Sequence, residues 1–164
     1  MAADVVQGAV QYLTQDDSVT SLLGSFSDGK PWIFQDNFYA VVKGLSKVGL
    51  TVETRGGWQA GLISSTMGVP RLYVAAYSDP SRDSKGQVSK QDARAKAMEV
   101  LVAVAKKLHK PDQTAWRTLD DSDYVWCGGL RVLKSIKLTE PDFAPVAEGD
   151  GMVMGSLTFA LTVG

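Results

Sequence analysis

A chain of 164 residues with 17 basic and 18 acidic side chains carries almost no net charge, which argues against a strong overall pull toward nucleic acid or an anionic membrane. Its 45% apolar content suits a single domain over 1–164, able to bury about 70% of its unfolded surface without a covalent or metal staple. Cys127 is the sole cysteine, so an intramolecular disulfide and a thiolate zinc site are both excluded.

The opening Met-Ala-Ala-Asp lacks a basic stretch ahead of an apolar core, and no run of about 18 apolar residues follows, so neither a secretory signal nor a membrane span is expected. Val5, Val6, Ala9, Val10 and Leu13 recur at helical spacing and predict a first helix over 4–13. A second helical turn is expected over 18–23, introduced by Asp16 and Asp17 and closed by Gly24. After a polar turn at 25–30, Pro31 opens an extended segment over 32–35. Residues 38–42 are apolar and fit either a strand or a turn of helix. Leu50, Val52 and Thr54 alternate with Thr51, Glu53 and Arg55, a strand ended by Gly56 and Gly57.

Residues 69–78 are apolar or aromatic almost throughout. Leu72, Val74 and Ala76 face one way, and Tyr73, Ala75 and Tyr77 the other, as in a central strand covered on both faces. The polar loop 79–88 is too long for a tight hairpin and is expected to be mobile. The clearest helix signal covers 89–109. Around Leu101 the wheel gathers Met98, Ala97, Val104, Ala105 and Leu108, opposite Asp92, Lys96, Glu99, Lys106 and Lys107. Ser89 is the expected cap. Lys106, Lys107, His109 and Lys110 complement the negative helix end, and Pro111 stops the run.

A polar stretch with Trp116 leads to a short strand around Val125 and Cys127, broken by Gly128 and Gly129. In the next strand, 130–138, Leu130, Val132, Ile136 and Leu138 share a face, with a bulge or a sheet end expected at Lys134. An acidic loop over 141–150 precedes the cleanest strand, where Val153, Leu157, Phe159, Leu161 and Val163 oppose Ser156, Thr158 and Thr162. The last two strands predict a long C-terminal antiparallel hairpin. The order implies an α+β fold: an antiparallel or mixed β-sheet packed by one long amphipathic helix and a shorter N-terminal helix. A doubly wound α/β fold is disfavoured, because strands and helices do not alternate.

No constellation of chemistry stands out. His109, the only histidine, reads as a surface residue favoured by the helix dipole. Asp120, Asp121 and Asp123 crowd one stretch but lack the glycine and closing glutamate of a calcium loop, and Glu148 and Asp150 read as turn residues. Phosphate-loop, dinucleotide and nucleophile-elbow patterns are absent. Cys127, flanked by Val125 and Trp126, reads as a small buried hydrophobe. Trp32, Trp58, Trp116 and Trp126 read first as roofing the sheet's core; Trp32 and Trp58 also lie beside turns, where indoles often stay partly exposed and serve interfaces. No catalytic, cofactor or metal site is expected. Flexible charged loops, several indoles and a long hairpin suit a protein that assembles with copies of itself.

This layout resembles the tail terminator proteins of long-tailed bacteriophages. The likeness is carried by residues 5–23, 50–55, 69–78, 89–109, 130–138 and 152–163. It implies a homo-hexameric ring that caps the tail tube, ends tube polymerisation and meets the head connector protein. The implied partners are further copies of the chain, the tail tube protein and the connector. DNA would pass the lumen without specific binding, and no membrane is involved. The implied location is the virion tail or neck, with the host cytoplasm before assembly. Candidate contact residues are Trp58, Arg82, Asp83 and Lys85, together with the hairpin edge. The alternatives are a tail tube subunit or another neck protein and, from a different class, a small metal-dependent enzyme using Asp120, Asp121 and Asp123.

Overall fold

Strand β7 (Val153–Val163) holds the fold together by pairing on both edges. The computed structural model describes residues 2–34, 48–54, 71–78, 90–111, 116, 126–127, 130–145 and 152–163. One edge of β7 pairs antiparallel with β3 (Arg71–Ser78), matching Leu72 with Phe159 and Val74 with Leu157. The other edge takes two segments in succession. These are β5 (Leu130–Lys137), opposite 159–163, and β6 (Asp142–Pro145), opposite 153–156. Beyond β3 come β2 (Val48–Thr54), antiparallel, and β1 (Ile33–Phe34), parallel. The order is β1-β2-β3-β7-β5-β4, with β4 (Trp126–Cys127) against the start of β5. The sheet is thus mixed, and the α+β expectation holds.

Helix α1 (Ala2–Thr14), a single turn α2 (Asp17–Thr20) and the long α3 (Lys90–Leu108) complete the described elements. One sheet face meets α1 and α3. There Leu13, Leu101, Val104 and Leu108 join Leu72, Val74, Leu157, Phe159 and Leu161 in the main core. Burying side chains of this size contributes about 1.5–3 kcal/mol each. Trp116 seals the core's end. It is fully buried, stacked on Tyr12 at 5.6 Å, and its indole N–H donates to the Leu108 carbonyl at 3.4 Å. Its φ of 52° is left-handed, which this packing and hydrogen bond hold in place. The other face buries Trp32, Ala75, Tyr77 and Met152, so β3 is covered on both sides as its continuous apolar run predicts.

Four local expectations change. Gly24, expected to close α2, instead lies under the ring of Trp32, which is buried in line with the core reading of the indoles, and an added Cβ there would clash with the indole. Gly24 therefore makes room for an aromatic ring, and α2 ends earlier, with Ser21 in right-handed conformation. Met98 is 37% exposed, because the buried stripe of α3 is centred on Ala97 and Val104 and leaves Met98 beyond Leu101. Ile136 and Leu138 do not share Val132's buried face. Of the bulge or sheet end expected at Lys134, the structure has a bulge, between Val132 and Lys134, and it turns the later residues outward. Finally, part of the acidic connection is strand β6. Phe143 lies against Gly155, and Leu101 approaches the same glycine from α3.

Candidate assembly surfaces

Trp58, Arg82, Asp83 and Lys85 lie outside the described residues, as do the loop 79–88, the segment 56–67 and the acidic run 120–123. Among the described residues no cluster of His, Cys, Asp and Glu has the makings of a metal centre, and no helix is long and apolar enough to cross a membrane. Cys127 sits in β4, paired with Leu130.

The hairpin edge is more fully covered than its alternating sequence implies. After α3 ends, Lys110 exchanges both backbone hydrogen bonds with Ser135, at 2.7 and 2.8 Å. One residue earlier, His109 Nδ1 accepts the Lys137 backbone N–H at 3.1 Å. With β4 on Leu130 and Arg131, the outer edge of β5 is occupied at intervals along its length. Such coverage blunts an edge that would otherwise template pairing with another chain. His109, read as a dipole-favoured surface residue, thus also serves the sheet. Lys106, His109 and Lys137 line a shallow hollow at this corner with Ala105. The Lys137 ammonium also reaches the Glu140 carboxylate at 3.2 Å.

Two exposed apolar pairs stand on opposite layers. On α3, Met98 and Val102 are one turn apart, 37% and 43% exposed, among exposed Arg94, Ala95, Glu99 and Lys106. On the far face of β5 and its extension, Ile136 and Leu138 are 40% and 47% exposed, on the same face as exposed Lys134 and Asp142. Isolated exposed apolar residues are ordinary, whereas adjacent pairs on one element form small patches. The guanidinium of Arg94 also lies 4.8 Å over the Phe143 ring, tying α3 to β6.

A third feature is the hairpin-like turn at 25–31. Phe26 is 42% exposed and meets Trp32 and Phe34 edge-on, at 6.5 and 5.8 Å. At the entry to α2, Asp16 caps the helix by accepting the Ser18 backbone N–H at 2.8 Å. Burial pushes the Asp16 carboxyl up, but hydrogen bonds from the Ser18 hydroxyl and backbone, and the charge of Lys107, together hold it below the usual carboxylate range.

No protein-family model matches the chain, and no curated protein matches it by sequence. A solved structure does share its fold: a chain of the virion of a native gene transfer agent particle. The TM-score is 0.57 at 15% sequence identity, covering 99% of this chain and 94% of the other.

Proposed function

We propose that the protein is a structural component of a phage-like virion, and that it forms the ring that caps the tail tube. In this role it ends tube polymerisation and joins the tail to the head connector. The observation that supports this most is a fold likeness running through nearly the whole of both chains, the second of which belongs to a virion particle. Exposed apolar pairs on both layers also suit a subunit that neighbours will cover. The ring is a homo-hexamer whose partners are the tube and connector proteins, and DNA passes its lumen without specific contacts. Its place is the virion tail or neck, reached from the host cytoplasm. The protein is no enzyme and uses no cofactor.

The test is to image the purified protein, alone and added to growing tail tubes, with light scattering to give its mass. Closed rings that sit on tube ends and arrest growth are expected. Open filaments of this protein alone would identify a tube subunit instead. A monomer that leaves tube length unchanged would overturn the reading. A melting temperature raised by divalent metal, with the rise lost in Asp121→Ala, would favour the metal-dependent enzyme.

A further inference from the structure

We propose that the hollow between the end of α3 and β5 binds a phosphate group. Ala105, Lys106, His109 and Lys137 line it, and its volume is about 310 Å³. One water takes about 30 Å³ in the liquid, so a phosphate group fits with several waters. One copy of the chain supplies every lining residue. The site is therefore complete in a monomer and independent of the ring.

Two elements bring the groups together. His109 continues the last turn of α3, its backbone N–H donating to the Ala105 carbonyl at 2.8 Å. Lys106, three residues earlier, is thus its neighbour on one flank of the helix. Lys137 comes from β5, held beside the helix end by the Lys110–Ser135 backbone pair. Lysines in a last helical turn answer the helix's negative end. Lys137 lies outside that turn and adds a cation from a second element, while Lys110 adds positive charge nearby.

The histidine is set as a donor. Its Nδ1 accepts the Lys137 backbone N–H at 3.1 Å, so the neutral ring carries its proton on Nε2. Among the described residues Lys106 enters no ion pair. Two ammoniums and an imidazole N–H suit an oxyanion with several acceptor oxygens and more than one negative charge. A single carboxylate uses only part of such a set.

The chain itself carries a weak competitor. The Glu140 carboxylate oxygens lie 3.2 and 3.3 Å from the Lys137 ammonium. The Glu140 side chain is 83% exposed, against 28% for Lys137, so the carboxylate approaches from the solvent side. Exposed pairs of this kind are weak, and a phosphate held by two further donors displaces it. Ala105, one turn before His109, keeps the hollow open because its side chain is only a methyl group. The phosphate is either free or part of a DNA backbone.

His109 is the only histidine, so its Cε1–H resonance in the histidine-labelled full chain reports this corner alone, in a monomer or a ring. Inorganic phosphate is titrated at fixed pH and ionic strength. A saturable shift is expected, absent with sodium chloride and much weaker with acetate. Lys106→Gln and Lys137→Gln should each raise the half-saturating concentration about fivefold, through loss of one charge-assisted contact. Glu140→Gln should lower it about threefold by removing the competitor. Ala105→Leu keeps every charge, fills the hollow and should abolish the shift. Circular dichroism checks each fold, and Ala105→Val replaces Ala105→Leu if that variant unfolds. A short DNA duplex then identifies the source. Competition between duplex and phosphate points to the backbone, and phosphate binding that the duplex leaves unchanged points to free phosphate. A non-saturating response would overturn the site. So would acetate matching phosphate, normal binding by the folded Ala105 variant, or weaker binding by Glu140→Gln than by wild type.

Discussion

The backbone N–H of Lys137 donates to Nδ1 of His109 across the junction between α3 and β5. A helix end thereby satisfies a donor on a sheet edge, beside the Lys110–Ser135 backbone pair. His109→Ala removes the acceptor and is expected to cost about 0.5–1.5 kcal/mol, the net value of a typical hydrogen bond. His109→Asn offers a side-chain carbonyl at a similar reach and should recover part of it. Urea unfolding midpoints of the three proteins check this, and equal loss in both variants would remove the contact from the account.

At Gly155, side chains from both α3 and β6 press on β7. An added Cβ there would lie 2.7 Å from the Phe143 ring and 2.8 Å from a Leu101 methyl. Gly155→Ala is therefore expected to destabilise by about 1–3 kcal/mol through overpacking. Adding Phe143→Leu should return part of that loss, because it removes one of the two clashing groups. A double-mutant cycle in denaturant reads the coupling directly.

Trp116 carries three burdens at once: the stack on Tyr12, the bond to Leu108 and a left-handed backbone. Trp116→Ala should cost about 3–5 kcal/mol, as large aromatic truncations do. Trp116→Phe keeps the stack and loses the donor, and should cost clearly less. Thermal and urea melts of the pair separate packing from hydrogen bonding.

Asp16 links α2 to pH. Its carboxyl is held below the usual range in the folded protein, so the stabilisation it gives is present above the unfolded-state pKa. That contribution fades as pH falls through the folded-state pKa. Asp16→Ala should cost about 1 kcal/mol at neutral pH through the lost cap. The gap between wild type and variant should then narrow on acidification. Urea midpoints across the acid range test the sign, and a gap that widens in acid would contradict it.

The regular elements were legible where one periodicity ran unbroken. Leu157, Phe159 and Leu161 against Ser156, Thr158 and Thr162 define β7, and the apolar run of β3 reflects its two covered faces. What periodicity could not supply was the centre of a packed arc or the effect of an interruption. A wheel around Leu101 includes Met98, but only the sheet beneath α3 fixes which flank is buried. Lys134 signals a bulge or a sheet end, yet the choice between them and the outward turn of Ile136 and Leu138 depend on β7's register. Trp32 fits the core reading of the indoles, but that Gly24 leaves room for its ring depends on a contact eight residues away that no spacing reveals. The residues singled out as contacts, Trp58, Arg82, Asp83 and Lys85, fall outside the described positions. The surfaces that emerged instead come from packing.

Strand β7 meets β3 on one side and β5 with β6 on the other, and all of these precede it in the chain. During synthesis, β1, β2 and β3 can gather as one partial sheet, and β4 and β5 as another. Nothing in the described pairing joins them until residues 153–163 arrive. The closing step brings positions roughly ninety residues apart into register, as Leu72 meets Phe159, and pairings of such separation fold slowly. A nascent chain should therefore hold two unfinished sheet edges until β7 slots between them, and that interval is when a folding helper or a premature neighbour would have most influence.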